Sequence, residues 1–359
     1  MDNCETRVLE EFLSLIGPSQ ESEERRRSVF NEIKLLLHKK LDDSVVITNF
    51  GSGPLKTYLP ESDIDLTLLF KKPIVRSDPL AAVSDEPKCR LMEDISSAEL
   101  QRFKYLLEEE AVANPKLRDI SIINADVKLV KFYYDNMPVD LTFNQTGGIC
   151  SLVFFEELDK ELGKEHILKK SILMIKAWCL YEGHILGSHI GCFSTYALEV
   201  LILFVLNNFY DELQSPLHVF FKFFDVFGDF AWDDYIVTIY GPVSVALYWE
   251  NCAYSDFNVN TLALDERKTN PRFAGKKLRI TPSECLEKTN YFAELKRQYQ
   301  QTHMPSWNKK GLALKHLNIV DPLFPGNNLG RSVSNFHHYR IKRVLRKGQN
   351  FTHELMALK

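Results

Sequence analysis

The stretch NFGSGPLKTYLPESDIDLTLLF, from Asn49 to Phe70, constrains this chain more than any other. A Gly-Ser pair lies between two β-favouring runs, Val45-Val46-Ile47 before it and Ile64 to Phe70 after it, so the segment reads strand, turn, short helix, strand. Asp63 and Asp65 flank one isoleucine at the start of the second strand, and the two-residue period of a strand sends both side chains to one face. Carboxylates this close repel unless a cation lies between them, and their hard oxygens suit Mg²⁺ or Mn²⁺. Taken alone, such a pair is more often a set of ordinary surface acids at a solvent-facing strand start.

A third acid changes that balance. Asp140, in PVDLTFN, also falls on a predicted strand. Three carboxylates converging from neighbouring strands make a two-metal site of the kind that clamps the attacking and leaving oxygens in phosphoryl transfer. The Gly51-Ser52 turn supplies the complement, a backbone that can approach a phosphate closely and a hydroxyl beside it. Other phosphate motifs fail: there is no G-x-x-x-x-G-K-[ST], and GSGPLKTY lacks the third glycine of G-x-G-x-x-G.

The chain's 359 residues, 45% hydrophobic and 26% charged, can bury a sizeable core and suggest two domains. The start is acidic, with no basic-then-apolar leader, and no apolar run approaches the ~20 residues of a membrane span, so a secreted or membrane protein is not expected. Seven cysteines with no C-x-x-C pair indicate reduced thiols, hence a nuclear or cytoplasmic setting, and argue against zinc. A net charge of −4 means that any nucleic acid would be gripped by local patches.

Periodicity divides the chain into three. Residues 1–42 read as two amphipathic helices split at GPSQES, expected to pack on the helical domain that follows. Residues 43–150 read as a small α/β domain around a mixed sheet. Its strands are VVITNF, DIDLTLLF, ISIINADVKLVKFYY as one or two, and MPVDLTFN; its helix is SSAELQRFKYLLEEEA, and a polar loop follows Phe70. Residues 151–359 are mainly helical, with surface loops expected from about Asn251 to Lys310.

These motifs, FGS…LPESDIDL followed by VDLTFN, resemble the DNA polymerase β-like nucleotidyltransferases, and within them the noncanonical poly(A) polymerases and terminal uridylyltransferases. SILMIKAW with STYALEVLILFVL looks like that family's central helical domain, and IVDPLFPGNNLGRSVSNF like its late nucleotide-recognition loop. The resemblance implies an α+β architecture: a polymerase-β-like nucleotidyltransferase domain plus a helical PAP/OAS1-type substrate-binding domain, with the nucleotide in the cleft between them. It makes Gly51 and Ser52 the triphosphate turn, and Asp63, Asp65 and Asp140 the ligands of two Mg²⁺ or Mn²⁺ ions. Asp140 becomes the acceptor of the 3′-hydroxyl proton. Lys176 and Thr195 become phosphate contacts and Tyr196 the platform for the base; otherwise Lys176 is a solvated helix charge and Tyr196 ordinary core. Asp321 either anchors the recognition loop or reaches the nucleotide.

Uridylyltransferases typically carry a histidine before the loop asparagine, whereas this sequence has Asn327 there and Asn328 after it. An asparagine amide can pair with adenine's donor and acceptor edge, so the implied reaction is adenylyl transfer from ATP to an RNA 3′ end. Uridylyl transfer, and a weak pseudo-nucleotidyltransferase serving as RNA-binding protein or scaffold, are the alternatives. Leu180 replaces a second lysine common in relatives, Ser151 a ribose-contacting asparagine, and Lys56 a glycine. RKTNPRFAGKKLR, NKKGLALKH and HHYRIKRVLRKG are basic enough to track RNA, although solvated faces explain them better. No separate RNA-binding module is visible in the sequence, which leaves room for a partner protein that supplies one.

Overall fold

The structure, a computed structural model of the chain, describes residues 3–41, 45–70, 95–124, 127–254, 257–280 and 312–357. Contacts divide these residues into a sheet unit, Gly17–Glu156, and a helical unit of residues 3–16, 157–280 and 312–357. The loop expected after Phe70 and most of the last basic stretch before Leu312 lie outside the described residues.

In the sheet unit, β1 (Val45–Phe50), β2 (Ile64–Phe70), β3 (Leu117–Ile123), β4 (Leu129–Tyr134) and β5 (Met137–Phe143) form one mixed sheet in the order β1-β2-β5-β4-β3. Every neighbouring pair is antiparallel except β2 with β5, which is parallel. One face buries Leu66, Leu68, Val130, Phe132, Val139 and Leu141. Strand alternation therefore turns Asp65, Lys131 and Asp140 to the other.

Two helices cover the apolar face. The first helix, α1, spans Asn3–Ile16, and α2, Gln20–Lys40, starts at a capping box of two serines: the Ser22 amide donates to Ser19 Oγ at 3.1 Å and the Ser19 amide to Ser22 Oγ at 3.0 Å. Val29, Ile33, Leu36 and Leu37 form the buried stripe of α2, and Leu100, Phe103 and Leu107 that of α4 (Ser97–Ala111), all within the core of the sheet unit. The expectation that both N-terminal helices pack on the helical domain therefore needs correcting for α2. Its period is the same whichever surface receives it, and only the tertiary contacts choose the sheet. A short helix, α3 (Ser52–Leu55), follows β1, and α5 (Thr146–Leu162) carries the chain from one unit to the next.

The helical unit is built around α7, Thr195–Phe209, in which every residue from Ala197 onward is buried. Around it pack α6 (Ile167–Ala177), which runs on into a π-helical turn at Trp178–Glu182, and α8 (Pro216–Phe227). Helix α1 lies on α6. A hairpin, β6 (Tyr235–Thr238) and β7 (Gly241–Ser244), then leads to α9 (Val245–Asn251) and α10 (Val259–Thr269). The span expected to hold only surface loops thus contains a helix. The last helix, α11, Asn335–Ala357, packs on α8. No described helix is long and apolar enough to cross a membrane.

The α2 interface is expected to dominate the stability of the sheet unit. Ile33→Ala, at a fully buried position, should cost about 2–4 kcal/mol in urea unfolding, whereas Val46→Ala, on an exposed strand position, should stay within about 0.5 kcal/mol.

Candidate active site

Parallel pairing of β2 with β5 sets Asp65 directly beside Asp140, and antiparallel pairing of β4 with β5 sets Lys131 directly across from Asp140. Lys131 Nζ lies 2.8 Å from Asp140 Oδ1 and 3.2 Å from Asp63 Oδ2, so all three carboxylates gather at one end of the sheet's open face. Burial pushes the Asp140 carboxyl up, the Lys131 ammonium beside it pulls it down and the Asp63 charge pushes it up again, leaving it above the usual carboxylate range. Burial lowers Lys131, but Asp140 and Asp63 outweigh that and hold the ammonium above its ordinary value.

The turn in front of the aspartates is shaped by sterics. Gly51 has φ +72°, and a Cβ there would collide with Asp65 Oδ2. Only glycine allows both the backbone conformation and the close approach of the carboxylate. Ser52 opens α3, and its carbonyl accepts from the Thr57 amide at 3.0 Å, which closes the turn. Lys56 takes φ +64° at the end of α3 and pairs with Glu23 of α2, so its charge is engaged within the sheet unit.

Arg26 of α2 was not singled out in the sequence, yet it holds the backbone ahead of the D-x-D pair. Its guanidinium donates to the Asp63 carbonyl at 3.2 Å and to the Ser62 carbonyl at 2.5 Å, and lies 4.1 Å from the centre of the Tyr58 ring. Beside it, a cleft of about 140 Å³ opens between α2 and the turn, lined by Arg26, Arg27, Phe50, Gly53 and Asp65 among others. Covalent neighbours give no hint of this clamp, because Arg26 meets Asp63 only through the docking of α2 on the sheet.

Among the described residues no group of three or more histidine, cysteine, aspartate or glutamate side chains is drawn together tightly enough to cage a metal. The chemistry of the donors nevertheless suits one. Asp140 Oδ1 is buried and, among the described residues, no hydrogen bond to it has good geometry, although the Lys131 ammonium lies 2.8 Å away. Asp63, Asp65 and Asp140 are the residues that could hold Mg²⁺ or Mn²⁺.

The helical unit holds the other predicted residues. Thr195 is the first residue of α7, after Ser194, whose Oγ caps the helix by accepting from the Ala197 amide at 3.1 Å. Tyr196 donates its O–H to Asp321 Oδ1 at 2.9 Å. Asp321 is buried and also accepts from the Leu323 amide at 2.9 Å, the Phe324 amide at 3.2 Å and Asn327 Nδ2 at 2.9 Å, so it anchors the loop. Burial still pushes its carboxyl up, against the pull of those donors.

The two asparagines differ. Asn328 Oδ1 accepts from the Ile319 amide at 3.1 Å and the Gly330 amide at 2.9 Å, while its Nδ2 donates to the Ala313 carbonyl at 3.0 Å and Asn318 Oδ1 at 2.9 Å. Those four bonds use the whole amide, so Asn328 holds the loop together. Asn327 gives one donor to Asp321 and takes one from Arg331 at 2.7 Å, and each bond uses one of two sites on its atom. Gly330 is obligatory, since a Cβ there would run into the Leu317 carbonyl. The loop is also stitched to β6, with the Val320 amide donating to the Val237 carbonyl at 2.8 Å.

Lys176 is buried on α6, and its charge acts on Glu199 of α7. Leu180 falls in the π-helical turn and is half-buried, and the Ser151 hydroxyl donates to the Gly147 carbonyl at 2.8 Å. The basic segments are largely neutralised. Arg267 is buried against Asn208 and the Tyr240 carbonyl, Arg272 pairs with Asp225 and Lys276 with Glu212. On α11, Lys342 pairs with Asp233, Arg346 with Asp229 and Lys347 with Glu182.

Burial raises Glu199 to about 7 against the opposing pull of Lys176, from an ordinary value of 4.5. The folded chain therefore holds that proton more tightly than the unfolded chain, and the associated stability is present below 4.5 and lost as pH rises to about 7. Glu199→Gln is expected to flatten that part of a stability-against-pH profile from urea midpoints. Where α7 meets the Asp321 loop, Tyr196→Phe, which removes the hydroxyl donor to Asp321, should cost about 1–2 kcal/mol. Asn328→Ala, which strands two buried amides and two acceptors, should cost at least twice as much in the same measurement.

Comparison with known proteins places this geometry. Residues 162–359 match the PAP/OAS1 substrate-binding domain, and residues 6–152 match the central palm domain of the mitochondrial-like poly(A) RNA polymerases. No curated protein matches the chain in sequence. Among solved structures, the Cid1 poly(U) polymerase superposes with a TM-score of 0.59 at 16% identity, over 96% of this chain and 92% of that one. A cytoplasmic RNA terminal U-transferase gives 0.57 at 15% identity, over 96% and 91%. A histidine-to-asparagine variant of Cid1 bound to MgATP gives 0.60 at 16% identity, over 98% and 95%. With both of its halves matched in this way, the chain belongs to the poly(A) RNA polymerase-type nucleotidyltransferases that join a central palm domain to a PAP/OAS1 substrate-binding domain, and its fold is that of the Cid1 poly(U) polymerase.

Proposed function

We propose that this protein is a template-independent RNA 3′-terminal ribonucleotidyltransferase that transfers adenylyl groups from ATP. The observation that carries the reading is the pairing of Asp65 with Asp140 on adjacent parallel strands, with Asp63 within reach of the same ammonium and Gly51 against Asp65. Such an arrangement suits the handling of a phosphate and a hydroxyl side by side. Two divalent ions, when bound by these carboxylates, would supply Lewis-acid stabilisation of the phosphoryl oxygens.

The chain's own residues do the rest. The Gly51-Ser52 turn binds the triphosphate through backbone amides and a hydroxyl. Asp140, its carboxyl already raised by burial, accepts the proton of the RNA 3′-hydroxyl. The hydroxyl oxygen bonds to the α-phosphorus, the bond to the bridging β-phosphate oxygen breaks, and pyrophosphate leaves. Lys176 and Thr195 contact the phosphates, Tyr196 carries the base, and Asp321 holds both Tyr196 and Asn327 in position.

Asn327 supports ATP as donor. Its amide is fixed by Asp321 and Arg331 in one orientation, with an N–H and a lone pair left over to match adenine's acceptor and donor edge. Among the structural neighbours, a histidine-to-asparagine variant of a poly(U) polymerase has been solved with MgATP, which agrees with this use of asparagine. Neighbours solved with a UTP analogue and with the product ApU support a ribonucleotide and an RNA end as the two substrates. Lys277, Lys315, Arg340 and Arg343, which have no ion pair among the described residues, are the cations of the basic segments best able to meet RNA, with a partner protein supplying further contacts.

Extension of a labelled RNA primer by the purified chain with Mg²⁺ or Mn²⁺, one ribonucleotide at a time, tests this. ATP should be the preferred donor, and Asp63→Ala with Asp65→Ala should abolish extension while leaving the circular dichroism spectrum unchanged. Asn327→His should shift preference toward UTP by roughly tenfold or more, the discrimination expected of one good base-edge pair. A wild-type preference for UTP would overturn the reading of Asn327; no extension of any of several RNAs by the folded chain would overturn the enzymatic reading.

A further inference from the structure

We propose that Lys131 is a built-in counter-ion of the carboxylate cluster, with its ammonium between Asp63 and Asp140 where a divalent ion would otherwise sit, so that ion loading requires this side chain to swing away. The inference rests on the metal-dependent reading of the site given above, and it concerns a residue that no local sequence pattern marks.

The geometry is specific. Strand pairing leaves Lys131 no choice of neighbour, since β4 sets it directly opposite Asp140. Its Nζ lies 2.8 Å from Asp140 Oδ1 and 3.2 Å from Asp63 Oδ2, so one cation bridges an acid within β5 and one just before β2. Asp140 Oδ1 is buried and its contact with the ammonium lacks hydrogen-bond geometry. The ammonium thus neutralises charge without saturating the oxygen, which leaves the atom able to take a better ligand.

Electrostatics makes the two cations exclusive. Three carboxylates at one end of a sheet repel strongly in the absence of a cation, and Lys131 relieves that repulsion in the ion-free chain. A divalent ion on Asp140 Oδ1 would stand within a few ångströms of Nζ, where like charges cost more than the remaining contact with Asp63 returns. Lysine suits the role because its four-carbon stem lets the head rotate out to water, and the Lys131 side chain is 36% exposed. Arginine would keep the charge but hold the two carboxylates more rigidly.

Lys131 therefore performs two tasks in sequence. Before ion loading it holds Asp63 and Asp140 close together, so that the fold need not wait for a metal. During loading it opposes the ion and weakens its binding, which ties full occupancy to the arrival of a nucleotide that brings its own negative charge.

The test is Mn²⁺ binding to the full chain without nucleotide, followed by the electron paramagnetic resonance of free Mn²⁺, for wild type, Lys131→Met, Lys131→Arg and Asp140→Asn. Lys131→Met should bind Mn²⁺ roughly tenfold tighter than wild type, the scale of one partly screened charge at contact distance. Its melting temperature should fall without the ion and rise more with it. Lys131→Arg should bind within about threefold of wild type, because the charge is kept, and Asp140→Asn should bind little. Unchanged or weaker binding by a folded Lys131→Met overturns the proposal, as does no binding by either protein. If Lys131→Met folds only with Mn²⁺ present, the proposal is supported; if it stays unfolded at every Mn²⁺ concentration while Lys131→Arg folds, the side chain is a structural strut and the proposal fails. A wild-type chain that behaves as expected here yet extends no RNA would overturn the proposed activity and leave this inference standing.

Discussion

The parallel pairing of β2 with β5 is the constraint on which the rest of the sheet unit depends. It is the one parallel contact in an otherwise antiparallel sheet, and it brings Asp65 beside Asp140 although a helix and two strands separate them in the chain. Alternation then does the sorting. Leu66 and Leu141 turn toward α2 and α4, and the carboxylates turn the other way. The cost of drawing charges together is met on the opposite face, where the apolar side chains of the same strands are buried. A slip of one residue in this pairing would exchange the two faces and remove both core and site at once.

The helical unit solves a different problem, how to hold a loop of irregular backbone in one shape. Asp321 does so by accepting four hydrogen bonds, one from Tyr196 of α7, two from amides of its own turn and one from Asn327. Asn328 completes the frame by using its whole amide on the segments either side. A loop satisfied internally to this degree needs no ligand to take its shape, which is the condition for preorganised recognition. Asn327, with half of its amide spoken for, is the residue through which that shape can be read by a base.

Charge in this protein is mostly local. The basic stretch after α10 looks in sequence like a nucleic-acid contact, yet Arg267 is buried and Arg272 and Lys276 are paired with acids. Lys56 is likewise engaged by Glu23. The cations that matter at the carboxylates are Lys131, opposite Asp140, and Arg26, whose guanidinium holds the carbonyls of Ser62 and Asp63. Neither belongs to the motif it serves.

Much was legible in the residues alone. The strand-turn-helix-strand order around Gly51, the serine cap of α2 and the strongly apolar α7 follow from local periodicity, glycine sterics and capping, which act over a few residues. What lay beyond reach depends on contacts between distant segments. The period of α2 shows a buried stripe but not which surface buries it, and the sheet rather than α1's partner receives it. The Asn-Asn pair in the loop reads as two equivalent amides until the fold gives one of them four partners. Lys131 is one lysine among many until β4 lies against β5 and sets it between two aspartates. Sequence determined which chemical groups are present and how each element starts and ends; tertiary structure decided which of those groups meet, because register and packing are set by burial across the whole chain.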